Sequence, residues 1–412
     1  MKDASKSQNI TMLFHPESDS VIDLDTLKSR VKELDGITER TAEQNTELAA
    51  HYAAWAVTLY NTGEEDEEGD LDDIQELLQK AETLYTNILR QADSPDTRQQ
   101  LGNVYLEWGV ILNDYDEMTD AIDAYKKAIQ TLKPLSEQGD GDAKYDIAGL
   151  NLNLGIAYRE LGELDEAKAS LDEAFTGYRA VEKICASDTR LYMAIVSVQQ
   201  GNVLHEMNEP LESVVDAYNR AMRLYVEVIE DLSRPDLERD LASVLIDRSV
   251  AVYENWAGTK FENEEKRKQA VDEVLLDIRR GVDLLEKHRG TDDDPHDLFY
   301  AVSLLGRVLC DAEYFDEAKL VLDRAIEEIE GADNQEEFLL MQTAMAYATR
   351  AIVQIGLGNK EKSEQDCMKG SELINQFLQA EGEDDDEDVQ ELKLQFQAML
   401  EALAETEDAE QG

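Results

Sequence analysis

The chain has 412 residues, with 92 acidic against 39 basic side chains and a formal net charge of −53 at pH 7. A field of that sign excludes nucleic-acid backbone and anionic membrane surfaces as partners, because both are held by the opposite charge. Only 6 prolines and 22 glycines interrupt a sequence rich in helix formers, and its length exceeds what one core usually organises, so stacked helical repeats are expected.

Residues 1–20 read as an extended or disordered N-terminus without an apolar signal-like core, and the longest apolar stretch, 48–60, is too short to span a bilayer. Leu24, Leu27, Val31 and Leu34 then form a single stripe before Asp35-Gly36 and predict an opening helix. A degenerate helix pair follows around 52–60 and 72–89, ending in Leu78 and Ala81, with an acidic loop at 63–70 between. The next pair carries Trp108-Gly109, Leu112, Tyr115-Asp116, Ala121-Ile122, Tyr125 and Ala128-Ile129. Pro95, after Ser94, marks the first turn of its first helix.

The clearest copy reads Leu154-Gly155-Ile156-Ala157-Tyr158, Leu161-Gly162, Asp165-Glu166-Ala167, Leu171 and Ala174-Phe175. Gly201, Leu204, Val214, Tyr218 and Ala221 repeat it with one inserted residue. Helices around 237–256 and 265–285 use Ser249, Val274, Ile278 and Gly281, and Pro235 precedes Ser249 by 14 residues, as Pro95 precedes Gly109. Then come Leu305-Gly306, Leu309, Ala318, Leu322 and Ala325-Ile326, where Glu313 replaces the turn glycine, and finally Ala351, Gly358, Ser363, Cys367 and Gly370. After an acidic linker at 380–388, Val389, Leu392, Phe396, Met399, Leu400 and Leu403 predict a closing helix over 389–406, and 407–412 read as a disordered tail.

Small residues late in the second helices, Ala81, Ala128, Ala174, Ala221, Gly281, Ala325 and Gly370, recur at intervals of 47, 46, 47, 60, 44 and 45. The order of LG-x-x-Y, a turn glycine, and small and large apolar residues resembles the tetratricopeptide repeat. The family's usual unit is about 34 residues, so each hairpin here carries roughly a dozen more. The resemblance implies an all-α fold: a right-handed superhelical solenoid of about seven antiparallel hairpins over 21–379, with a capping helix at each end. A hairpin cannot bury its apolar face alone, so stability must come from its neighbours.

The sequence carries no phosphate-binding glycine loop, no paired metal-binding histidines and no nucleophile elbow, so no catalytic residue, cofactor or metal is expected. Cys185, Cys310 and Cys367 are far apart and read as packing residues in a reducing, cytoplasmic setting. His205 alone of the five histidines falls on a predicted groove helix and reads as a surface or partner contact. The stretch from Asp140 to Asp146 has Lys144 and Tyr145 where a calcium loop needs a ligand and a glycine, and reads as a turn. The acidic runs at 64–68, 292–294 and 383–388 read as solvated loops. Trp55, Trp108, Tyr125, Tyr218 and Trp256 stand at helical packing spacing and read as core.

By resemblance the chain is a non-catalytic protein–protein interaction scaffold whose first helices line a concave face. Five residues beyond the small first-helix residues Gly109, Gly155, Gly201, Ser249 and Gly306, the acids Asp114, Glu160, Glu206, Glu254 and Asp311 form a ladder that Gly356 breaks. With Leu106, Val110, Leu152, Ile156 and Val198 as apolar anchors and Asn202 beside them, they form the candidate partner-binding set, and they point to a lysine- or arginine-rich protein or peptide segment. A carboxylate clamp would have to come from Asn103, Arg159, Asn202 and Arg307, whose acidic neighbours oppose an anion. The alternative is an acidic polyanion mimic that occupies the nucleic-acid site of a basic protein; self-association is left open.

Overall fold

The computed structural model describes residues 24–62, 69–183, 186–257, 263–289, 296–330, 337–381 and 387–411. Among them are sixteen α-helices and no strand. They form two compact units that divide between Glu209 and Pro210. The first unit holds α1 (Leu24–Asp35), α2 (Ala42–Thr62), α3 (Gly69–Gln91), α4 (Pro95–Asp114), α5 (Met118–Glu137), α6 (Gly141–Glu160), α7 (Leu164–Val181) and α8 (Ala186–Glu206). The second holds α9 (Leu211–Leu232), α10 (Glu238–Ala257), α11 (Glu264–Lys287), α12 (His296–Asp311), α13 (Phe315–Glu330), α14 (Glu337–Gly356), α15 (Lys360–Glu381) and α16 (Glu387–Gln411).

Local chemistry sets the helix starts. Ser94 caps α4, its hydroxyl accepting from Thr97 N at 3.3 Å, and Pro95 needs no hydrogen-bond partner in the first turn. The stretch that reads as a turn around Asp140 is the start of α6: the Asp140 carboxylate accepts from Asp142 N at 2.9 Å and Ala143 N at 3.1 Å, a favourable place for an anion. Pro235 does not open α10 directly as expected. It begins a single 3-10 turn, Pro235–Leu237, closed by Leu237 N donating to Arg234 O at 3.2 Å, and α10 starts after it.

The turns closing α4, α6, α8, α12 and α14 share one geometry. Glu163 N donates to Tyr158 O at 2.8 Å and Gly162 N to Arg159 O at 2.9 Å, with Gly162 at φ +74°. The same pair of bonds recurs around Asp116, Asn208, Glu313 and Gly358, all at positive φ. This arrangement satisfies two carbonyls at the helix end and demands a left-handed residue. Glu313 does take the glycine's place, as the sequence indicates, at φ 65°.

Within each unit the helices pair as antiparallel hairpins and stack on the next: α2 with α3, α4 with α5 and α6 with α7, then α10 with α11, α12 with α13 and α14 with α15. The crossing residues Ala81, Ala128, Ala174, Ala221, Gly281, Ala325 and Gly370 are all buried. Close approach is visible at Gly155 and Gly306, where an added Cβ would sit 2.6 Å from Leu171 Cγ and 2.5 Å from Leu322 Cδ2. Those leucines are fully buried, worth about 2 kcal/mol each in transfer terms.

First helices of successive hairpins also touch: α2 with α4, α4 with α6, α6 with α8, and α10 with α12, α12 with α14. Each second helix instead packs on the first helix of the hairpin that follows it, α3 on α4, α5 on α6 and α7 on α8. The first helices therefore make a closed layer in each unit. At the C-terminus α16 runs to Gln411, past the expected end at 406, because the Glu, Ala and Gln residues there are good helix formers with no breaker before Gly412. Residues 1–20, most of the 63–70 and 380–388 segments, and Cys185 lie outside the described residues. No described helix is long and apolar enough to cross a membrane.

Candidate partner-binding face

The acidic ladder stands at helix ends. Asp114, Glu160, Glu206 and Asp311 are the last residues of α4, α6, α8 and α12, and Glu254 lies in the last turn of α10. Helix C-termini carry partial negative charge, so a carboxylate there is disfavoured unless something offsets it. The offsetting groups are visible. In the first unit the Tyr60 hydroxyl on α2 donates to Asp114, and Arg159 Nε pairs with Glu206 at 3.0 Å. In the second unit the Tyr253 hydroxyl on α10 donates to Asp311. Each contact runs from one first helix to the next, so three rungs of the ladder tie neighbouring hairpins together. Glu160 and Glu254 are exposed.

The apolar anchors divide. Leu106, Val110 and Leu152 are buried and serve packing. Ile156, Val198 and Asn202 are half-buried and reach the surface. Of the clamp candidates, Asn103 accepts from Gln99 Nε2 at 3.2 Å, Arg159 is held by Glu206 and by Gln199 at 2.6 Å, and Arg307 lies 5.4 Å from the centre of the Tyr253 ring.

Three residues that the ladder does not include occupy the same face. Glu107, Asn153 and Gln199 each stand two residues before the crossing glycine of α4, α6 and α8. Gln199 is taken by Arg159. Asn153 is 6 % exposed, and its Nδ2 finds no acceptor. Glu107 is half-buried with no hydrogen bond or ion pair among the described residues, and burial pushes its carboxyl up to about 7. The polar recurrence two residues before each glycine was the available signal.

Other charges cluster near Glu107. Burial holds the Tyr125 hydroxyl neutral, and the charges of Asp114, Glu160 and Glu107, with Tyr60, reinforce it. Tyr60 is raised first by burial, then by its hydrogen bond to Asp114, with Glu107 contributing. At the N-terminal end of the face, Gln99 Nε2 donates to Asp146 Oδ2 at 2.5 Å. Burial raises Asp146 to about 6, opposed by the Gln99 bond and reinforced by Asp142 and Asp140.

Among the described residues no group of three or more His, Cys, Asp or Glu side chains could hold a metal ion. Cys310 and Cys367 are buried, and burial pushes both thiols up to about 11, which leaves them protonated packing residues. His205 is half-buried on α8. Tyr125, Tyr218 and Trp256 are core, but Trp55 and Trp108 are only half-buried. Lysines cover those two rings, Lys28 at 5.6 Å and Lys127 at 6.0 Å, a contact that keeps an indole at the surface.

Stacked helix hairpins with small crossing residues, a shared left-handed turn and a closed layer of first helices define an all-α repeat protein. The family model for the tetratricopeptide repeat matches residues 148–176, in α6 and α7, and that hairpin is similar to the repeat. No curated protein sequence matches it. Among solved structures it is similar to BtubC from P. vanneervenii at 14% identity and a TM-score of 0.48, covering 66% of this chain and 93% of that one. The apo form of RapI matches at 12% identity and a TM-score of 0.47, covering 94% and 97%. The apo form of the quorum sensor NprR from B. thuringiensis matches at 14% and 0.47, covering 92% of each.

Proposed function

We propose that this chain is a non-catalytic scaffold that holds an extended basic segment of a partner protein on the layer of first helices. One observation carries the reading: in a chain of net charge −53, acids recur at the same step of touching first helices, at Asp114, Glu160 and Glu206. Glu254 and Asp311 repeat the step in the second unit. Half-buried Ile156 and Val198 supply apolar contact beside the charge, and Asn202 supplies an amide for a peptide backbone. The binding is electrostatic at its edge, so it weakens steeply with salt.

The test uses a fluorescein-labelled lysine-rich peptide and the full chain. Reversing Glu160 and Glu206 to lysine should weaken binding far more than reversing Glu64 and Glu65, which lie outside the described residues. Equal weakening by both pairs identifies a diffuse field, as a polyanion mimic would use, and no weakening by either removes the first helices from the interaction.

A further inference from the structure

We propose that the first-helix layer between α4 and α6 contains a subsite for one arginine side chain of an extended partner segment, with Glu107 receiving the guanidinium and Asn153 addressing the segment's main chain. The inference rests on the scaffold reading above and narrows it to one place and one side chain.

Two independent features converge there. The first is a carboxyl without a partner among the described residues. Elsewhere on the face charges are matched: Arg159 meets Glu206 and Gln199, and Tyr60 meets Asp114. Glu107 alone of these has no partner, although a half-buried carboxyl without one costs stability. Burial alone raises its carboxyl, and Glu107 in turn acts on two neutral hydroxyls, Tyr60 from α2 and Tyr125 from α5. A cation brought here favours the charged form of Glu107 and so gains a carboxylate partner. The lysines nearest in sequence on α5 are turned to aromatic rings, Lys126 to Tyr158 at 5.4 Å and Lys127 to Tyr105 at 5.6 Å.

The second feature is an unused donor. Asn153 occupies on α6 the place that Glu107 occupies on α4, each two residues before its glycine. It shares one helix stripe with Ile156 and Glu160, at steps of three and seven, the spacing that aligns side chains on one face. A buried amide donor without an acceptor among the described residues is rare in a folded chain, and a ligand carbonyl would satisfy it. A peptide carbonyl is a neutral acceptor that tolerates the surrounding acids, whereas an anion would not.

Arginine fits better than lysine because its planar fork offers five donors and can divide them between Glu107 and a second acid, while lysine offers a compact point charge. Extended backbone places alternate side chains on one face, so one arginine can enter while the adjacent carbonyl turns to Asn153.

Fluorescence anisotropy with a labelled alternating Ala-Arg decapeptide tests the assignment on the full chain. Glu107→Gln, nearly isosteric, should weaken binding about tenfold, in line with loss of a charge-assisted hydrogen bond, and Asn153→Ala about threefold. The reversal of Glu64 and Glu65 should change it less than about twofold. An alternating Ala-Lys decapeptide should bind the unmodified chain more weakly than Ala-Arg. If the chain binds Ala-Arg but Glu107→Gln has no more effect than the loop reversal, or Ala-Lys binds equally, the arginine subsite is wrong and the scaffold reading stands. If the unmodified chain binds neither peptide, both fail. Far-UV circular dichroism of each variant shows that the helices are intact.

Discussion

Arg350 repeats in its hairpin what Arg248 does in an earlier one. Each immediately precedes the small crossing residue of a first helix, Ala351 or Ser249, and each reaches an aspartate four residues before the crossing glycine of the second helix, Asp366 or Asp277. Arg350 grips Asp366 with both ends of its fork, Nε at 3.0 Å and Nη2 at 2.6 Å, and reaches back to Asp323 on α13 at 2.9 Å. Arg248 donates from Nε to Asp277 at 2.7 Å and reaches back to Asn219 on α9 at 2.5 Å. One guanidinium thus ties three helices of the second unit together, twice.

Removing the Arg350 tie leaves the buried Asp366 carboxylate uncompensated, while half-buried Asp323 keeps Lys319. Arg350→Ala should lower the unfolding free energy by about 3–4 kcal/mol, the usual cost of breaking a buried pair. Arg324→Ala, whose pair with Glu286 is largely exposed, should lower it by less than about 1 kcal/mol. Urea titrations followed by circular dichroism measure both. Equal losses would mean that the Arg350 network is no more than surface pairing.

Glu313 sits at φ 65°, where a side chain is strained and glycine is not. Glu313→Gly should therefore stabilise the second unit by about 1 kcal/mol, and Asp116→Gly, at φ 62°, should do the same in the first. Gly162→Ala should cost about 1 kcal/mol by the same argument, since an added Cβ there meets nothing within 4 Å and only backbone strain changes. Thermal melts read the sign directly. A destabilising Glu313→Gly would show that the Glu313 side chain makes a contact worth more than the strain.

The crossing positions are sensitive to volume. Gly155→Ala should destabilise the first unit by about 1–3 kcal/mol, because its Cβ would lie 2.6 Å from Leu171 Cγ and 3.3 Å from the Ala167 carbonyl. Ala174, fully buried, should be less tolerant still, and Ala174→Arg should cost several kcal/mol. A melt unchanged by Ala174→Arg would place the helix crossing elsewhere.

The hairpins were legible because the signals that specify them are local and repeated. Small residues at Ala128, Ala174 and Ala325 permit helix crossings, and turn residues such as Gly162 and Gly358 end helices, so spacing alone locates both. The face was legible only in part. The sequence marks Asp114, Glu206 and Asp311 as acids at a common step, but not that Tyr60, Arg159 and Tyr253 engage them from the neighbouring hairpin. Those partners lie about 50 residues away and differ in type from turn to turn. Leu106, Val110 and Leu152 look like groove anchors because first-helix periodicity does not say how closely the next first helix approaches. Glu107 is marked in sequence only by its place two residues before Gly109, shared with Asn153 and Gln199, and its missing partner among the described residues shows only in the structure.

That missing partner gives Glu107 a pH signature. Its carboxyl titrates at about 7 in the folded chain against an ordinary value of 4.5, because burial disfavours the charged form. Between those values the folded chain holds a proton that the unfolded chain has released, so this group's contribution to stability falls as pH rises from about 4.5 to about 7 and stays lost above. Asp146, raised to about 6 from 3.8, acts in the same direction over a lower window. Glu107→Gln removes the first effect and keeps the second. At about pH 7.5 the variant should be more stable than the unmodified chain by about 2 kcal/mol, and near pH 4.5 the two should agree, as urea midpoints will show. The comparison also bears on function. A substitution that stabilises the chain at neutral pH and weakens the Ala-Arg peptide marks Glu107 as a residue kept at a cost in stability for binding. If Glu107→Gln is instead less stable at both pH values, the carboxyl makes a structural contact and its role in binding an arginine falls.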